Sequence, residues 1–253
     1  MKRCSDNIGV MPNYKMTRQL IICLTILFSA CRQKNATIDN GKVDSQQLIL
    51  ADSSQTFSIT KVSTEDFTKA KNSYKDKFIH DTLNIRKING VIEVPLNRLH
   101  YPPSVIFKDT LVGIGETEER EYHYLGHFPN PDNYLVSGAF WEHYECYLID
   151  KETGSKKTTW NRPFLSPNSK YFANLSMPYG LEGVPNGIQI WKVENQKYLS
   201  KYLELDQQVW VADQFSWETD NSLILKVAAI DKYLNENGQP NEKDFYYLRL
   251  RLK

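Results

Sequence analysis

A chain of 253 residues with 41% hydrophobic content and a formal charge of +1 has apolar mass enough for one sizeable domain or at most two small ones. Without the four bases and one acid of residues 1–30, 27 bases face 29 acids, a net charge of −2. A body so close to neutral excludes the basic face of a nucleic-acid binder and the polybasic patch of a membrane-surface protein.

Residues 20–30 read Leu-Ile-Ile-Cys-Leu-Thr-Ile-Leu-Phe-Ser-Ala, an apolar run of 11. A spanning helix needs about 20, so the run fits the hydrophobic region of a secretory signal instead, with Lys15 and Arg18 as its positive flank. Met16 makes a compact start, with the residues before it an extension. The run ends Phe28-Ser29-Ala30-Cys31, which resembles the bacterial lipobox, although Phe28 stands where Leu is more usual. The resemblance implies that residues 1–30 are a signal peptide cut before Cys31, and that Cys31 carries acyl chains that anchor the protein in a membrane. Two or three chains hold firmly where one gives only marginal binding.

Residues 32–56 hold no aromatic residue and are rich in Gln, Asn, Asp, Ser and Lys. Such a stretch buries too little surface to fold, which predicts a flexible lipidated tether over 31–56. Arg32-Gln33-Lys34 lacks both an Asp directly after the cysteine and an acidic run. By the same resemblance the expected location is the periplasmic face of the outer membrane. Cys4 and Cys23 fall in the leader, so Cys146 has no disulfide partner and reads as a small buried apolar residue.

The body, 57–253, reads as a single all-β domain, and 15 Tyr, 11 Phe and 5 Trp favour strand throughout. Charged residues with sparse apolars run from Phe57 to Tyr74, with a short helix expected over Thr64 to Tyr74 carrying Phe67 and Ala70 on one side. Val91–Val94, Val105–Phe107 and Leu111–Ile114 are short β-branched strands, punctuated by Asn89-Gly90 and Pro102-Pro103. From residue 122 a repeat emerges, with units of about 122–162, 163–211 and 212–253. Its shared phrase is an aromatic, a Ser or Trp, a polar turn, then an apolar strand. The phrase starts at Phe164 and again at Phe215, 51 residues on, and periods of about 40–50 with four strands each are what propeller blades show. Phe164-Leu-Ser-Pro-Asn-Ser-Lys-Tyr-Phe-Ala173 and Gly187-Ile-Gln-Ile-Trp-Lys-Val193 resemble corners of Tol-type and tryptophan-aspartate-type blades, a resemblance that implies architecture and no activity. The expectation is a partial or small β-propeller-like array of antiparallel meander sheets, with a β-sandwich as the alternative. The last unit lacks an outer strand, which residues 75–115 are expected to supply.

Phe140-Trp-Glu-His-Tyr-Glu145 is the densest aromatic and ionisable cluster. Exposed, Trp141, His143 and Glu145 can stack on and hydrogen-bond a sugar or peptide; buried, the cluster is core, and core is the preferred reading. His123 and His127 sit four apart; on a strand their rings are expected to point the same way ~13 Å apart, too far for one metal. The loop Tyr233 through Asp244 partly matches a calcium loop, but Tyr233 stands where Asp is needed, and a polar hairpin is expected. Glu118 and Glu119 lie in a charged run that reads as solvated. No nucleophile-elbow, zinc-protease, phosphate-loop or dinucleotide motif occurs, so no metal, cofactor or catalytic residue is assigned. The functional expectation is a lipid-anchored envelope protein, a non-enzymatic binding or scaffold module with an envelope protein or glycan as partner. The alternative is a periplasmic glycan hydrolase or glycan-binding protein.

Overall fold

The computed structural model describes residues 56–97, 102–110, 119–140, 143–176, 185–233 and 240–253. The leader, Cys31, the tether to residue 55, the Leu111–Ile114 strand, Trp141 and residues 234–239 lie outside them.

Four antiparallel meander sheets make up the body. Sheet I holds β2 (Lys87–Ile88), β3 (Val91–Pro95) and β4 (Ser104–Lys108). Sheet II runs β5 (Arg120–Pro129), β6 (Asp132–Phe140), β7 (Tyr144–Asp150) and β8 (Lys156–Thr159) in order. Sheet III likewise runs β9 (Phe164–Leu165), β10 (Tyr171–Leu175), β11 (Gly187–Glu194) and β12 (Tyr198–Asp206). Sheet IV continues through β13 (Trp210–Trp217), β14 (Ser222–Ala229) and β15 (Phe245–Leu252), and ends on β1 (Phe57–Val62). The fold is the expected all-β array of meanders.

Local sequence explains the hairpins. Asn89 and Gly90, both at positive φ, turn β2 into β3, and Asn195 and Gln196 do the same between β11 and β12; paired positive φ matches the twist of the flanking strands. Asp150 Oδ1 accepts the backbone N–H groups of Glu152 and Thr153 and so closes the turn into β8.

Alternation along the strands then builds the stack. In sheet II, Tyr134, Val136 and Ile149 face sheet I, while Leu135, Cys146 and Leu148 face sheet III. In sheet III, Phe172 and Trp191 face sheet II, whereas Ala173, Ile188 and Ile190 pack on Trp217, Leu223 and Leu225 of sheet IV. Sheets II and III therefore bury both faces, and near-continuous apolar runs such as Tyr134–Val136 follow from that. The far face of sheet IV is capped by α1 (Thr64–Ser73), where Phe67 and Ala70 meet Ile224. A reciprocal capping box between Ser63 and Asp66 starts that helix. Among the described residues the core clusters join IV to III, III to II and II to I, a chain rather than a ring.

The outer strand of the last sheet is not drawn from residues 75–115, as the sequence suggested. It is β1, paired antiparallel with β15 from Phe57↔Leu252 to Val62↔Tyr247. Phe57 and Ile59 join the III/IV core while Ser58 and Thr60 face out. That alternation is short and lies in a charged stretch, which hides it from a pattern search. Residues 75–97 and 102–110 instead form a strap and sheet I. The Tyr74 hydroxyl donates to Leu165 O at 2.9 Å, Lys77 Nζ to Ser169 Oγ at 2.8 Å, and Phe78 enters the II/III core. Ile79 exchanges two backbone hydrogen bonds with His127, of 2.9 and 3.0 Å. Ile85 then reaches the I/II core.

Candidate functional site

The aromatic cluster singled out in the sequence sits at one end of sheet II. Phe140 ends β6, and its N–H donates to His143 O at 2.9 Å across the turn. The exposed His143 ring lies flat on Phe140, 4.3 Å between centroids, and Tyr122 meets the same ring edge-on at 6.0 Å. Tyr122, Phe107 and Tyr147 pack on one another at 5.2–6.2 Å. Glu145 accepts the Tyr147 hydroxyl. Burial, followed by that carboxylate, drives the Tyr147 phenol far above its ordinary pKa. The fold thus brings His143 and Glu145 to one end of a sheet, each already engaged with a neighbouring ring. Trp141 is outside the described residues. Beside the cluster, Lys87 pairs with Asp109 at 2.8 Å and Glu121 at 3.4 Å, stitching sheet I to sheet II.

His123 and His127 do not point the same way. The register of β5 against β6 shifts between Tyr124 and Gly126, with Leu125 as the extra residue. That bulge reverses the side-chain parity: His123 stands opposite Ser137, and His127 opposite Tyr134, which faces sheet I. Burial and then Lys151 hold His127 below the usual imidazole pKa. In the loop after Tyr233, Asp244 accepts the Asn241 N–H at 2.9 Å and caps its own short 3-10 turn. Among the described residues no group of three His, Cys, Asp or Glu side chains could hold a metal. Cys146 is fully buried between sheets II and III, and burial pushes its thiol up to about 11; a thiol so protonated is not a nucleophile.

A second place emerges only from the tertiary structure. A cleft of 430 Å³ opens where sheets III and IV meet along β13, lined by Arg162, Phe164, Ser176, Asp213, Gln214 and Phe215, among others. The Arg162 guanidinium lies between the Phe78 ring at 4.6 Å and the Phe164 ring at 4.4 Å, and pairs with Asp76 of the strap. The two aromatics that open the sequence repeat, Phe164 and Phe215, touch edge to face at 5.4 Å. Their 51-residue spacing was the one local signal for this place; nothing local marks Arg162.

The carboxylates nearby are held by counter-charges. Glu218 receives both Nε and Nη2 of Arg249 at 2.6 Å, and this pair keeps its carboxyl below the usual range. Asp213 lies 3.6 Å from Lys226, which also holds Glu242 at 3.2 Å. No known protein family matches the chain, and no curated protein or solved structure is similar to it.

Proposed function

We propose that the protein is a lipid-anchored envelope protein, acylated at Cys31, whose body is a non-enzymatic binding or scaffold module on the periplasmic face of the outer membrane. The observation that carries the anchor is Phe28-Ser29-Ala30-Cys31 at the end of an 11-residue apolar run, too short to span a bilayer of about 20-residue depth. With a near-neutral body, acyl chains are the strong attachment on offer.

What supports binding over catalysis is how the described carboxylates are employed. Glu218 clamps Arg249, Asp66 caps α1, Asp150 closes a turn, and Glu145 accepts from Tyr147. Glu204 and Glu218, the partly buried carboxyls that shift, move down, under Lys201 and Arg249 respectively. A general acid working near neutrality needs its pKa raised.

Cys31→Ser is the test. The variant is expected to move from the membrane to the soluble periplasmic fraction and to lose incorporation of labelled palmitate. A variant that stays membrane-bound with its leader uncut refutes the anchor. Protease added to intact cells should leave the body whole; digestion without permeabilisation refutes the periplasmic placement.

A further inference from the structure

We propose that the cleft along β13 is a binding site for a neutral, hydroxyl-rich ligand of saccharide size. The reading is independent of how the chain is anchored.

Its volume of 430 Å³ falls in the range of about 300–1,000 Å³ that small-molecule sites occupy. The four consecutive residues Ala212–Phe215 all line it. A regular strand cannot do this, because successive side chains point to opposite faces. Here the β13–β14 register skips Asp213, between Ala212↔Val227 and Gln214↔Lys226. A bulge of this kind re-aims a side chain, and here it accompanies the entry of Asp213 into the lining of the cleft. Phe215 stays on the inner face with the III/IV core.

The polar groups around the cleft complement hydroxyls. Gln214 Oε1 accepts from Lys71 Nζ at 3.2 Å, which leaves its amide N–H₂ without a partner among the described residues. Asp213 supplies acceptors, and Arg162 supplies donors beyond the Nη2 that pairs with Asp76. A hydroxyl both donates and accepts, and a row of them can use all three side chains at once. Phe164 and Phe215 add apolar edges for the ring of a sugar.

Charge decides against an anionic ligand. Arg162 already pairs with Asp76, and Asp213 shares Lys226 with Glu242, so an added anion would have to displace Asp76 from Arg162 and would meet the Asp213 carboxylate. Geometry decides against an extended peptide. Adding a strand needs a regular free edge, and a bulge is one of the devices that blunts an edge against pairing. The Lys71–Gln214 hydrogen bond also brings α1 against that edge.

Saturation-transfer NMR and calorimetry on the purified full chain, with glucose, galactose and N-acetylglucosamine at millimolar concentration, test the proposal. At least one of these sugars should bind saturably. Gln214→Ala and Asp213→Asn should each weaken it roughly tenfold, equivalent to about 1.4 kcal/mol, with circular dichroism and Tm unchanged. Gln214 is exposed and makes one side-chain hydrogen bond, so its variant stays informative if the Asp213 variant is unstable. The proposal is overturned if none of the three sugars binds, or if binding is indifferent to both substitutions. It is equally overturned if glucuronate or trialanine occupies the cleft in preference to the neutral sugars.

Discussion

Gly126→Ala tests whether the strap is part of the folded body. Gly126 has φ +138°, a region that residues with a Cβ rarely adopt, and a Cβ there would lie 2.2 Å from Ile79 O and 2.8 Å from the Phe78 ring. The first contact is with a backbone carbonyl, so no side chain can swing away to relieve it. Either β5 keeps its course and the strap lifts, or the bulge rearranges. Backbone strain of this kind costs about 1–3 kcal/mol. Lifting the strap breaks the two Ile79–His127 hydrogen bonds, at about 1 kcal/mol each, and pulls Phe78 out of the II/III core, at about 1.5–3 kcal/mol. Because the chain takes the cheaper route, the net cost should be about 1–3 kcal/mol, a fall in Tm of roughly 2–12 °C at 2–4 °C per kcal/mol for a body of this size. Thermal melts followed by circular dichroism give the number, and hydrogen exchange gives the location. The amides of Ile79 and His127 should lose protection first. A Tm within a degree of the parent, with both amides still protected, would refute the argument that this close approach holds the strap.

The remaining predictions concern other joints of the structure. Ile59→Asp should destabilise by roughly 2–3 kcal/mol, since it puts a carboxylate against the III/IV core, whereas Thr60→Asp on the outer face should be tolerated; equal melting points for the two variants would refute the β1–β15 pairing. Arg249 depresses the Glu218 carboxyl, so the stability it contributes is complete above the unfolded value of about 4.3 and lost as pH falls through the lower folded value. The parent should therefore lose stability more steeply than Glu218→Gln as pH falls below about 4.3, and parallel denaturant titrations would contradict this. Cys146, buried and protonated, should resist iodoacetamide at pH 8 in the native protein and react on unfolding; peptide mapping that finds it labelled in the native state would disprove its burial.

Much of this fold is legible along the chain because it is built from local moves. The hairpins join strands that are neighbours in sequence, and the turn residues, Asn89-Gly90 of sheet I and Asp150 of sheet II among them, carry their own backbone preferences. The alternation of apolar residues then follows from which faces are buried. The helix at Thr64–Ser73 is legible for the same reason, since Phe67 and Ala70 lie three apart and Ser63 with Asp66 forms its cap.

What the tertiary structure decided is whatever joins residues far apart in sequence. Phe57–Val62 becomes the outer strand of the last sheet through pairing with Phe245–Leu252, across nearly the whole body. No local pattern in a charged stretch can announce that partner. The bulge at Leu125 separates His123 from His127 because a single inserted residue reverses parity, and the strap residue that pairs beside it, Ile79, lies more than forty residues away. The cleft of Arg162, Asp213 and Gln214 has the same origin. Its residues come from the β8–β9 connection and from β13, and only the stacking of sheet III on sheet IV brings them together. Strand preference is a property of a few neighbouring side chains; a binding surface depends on which strands the folded chain brings side by side.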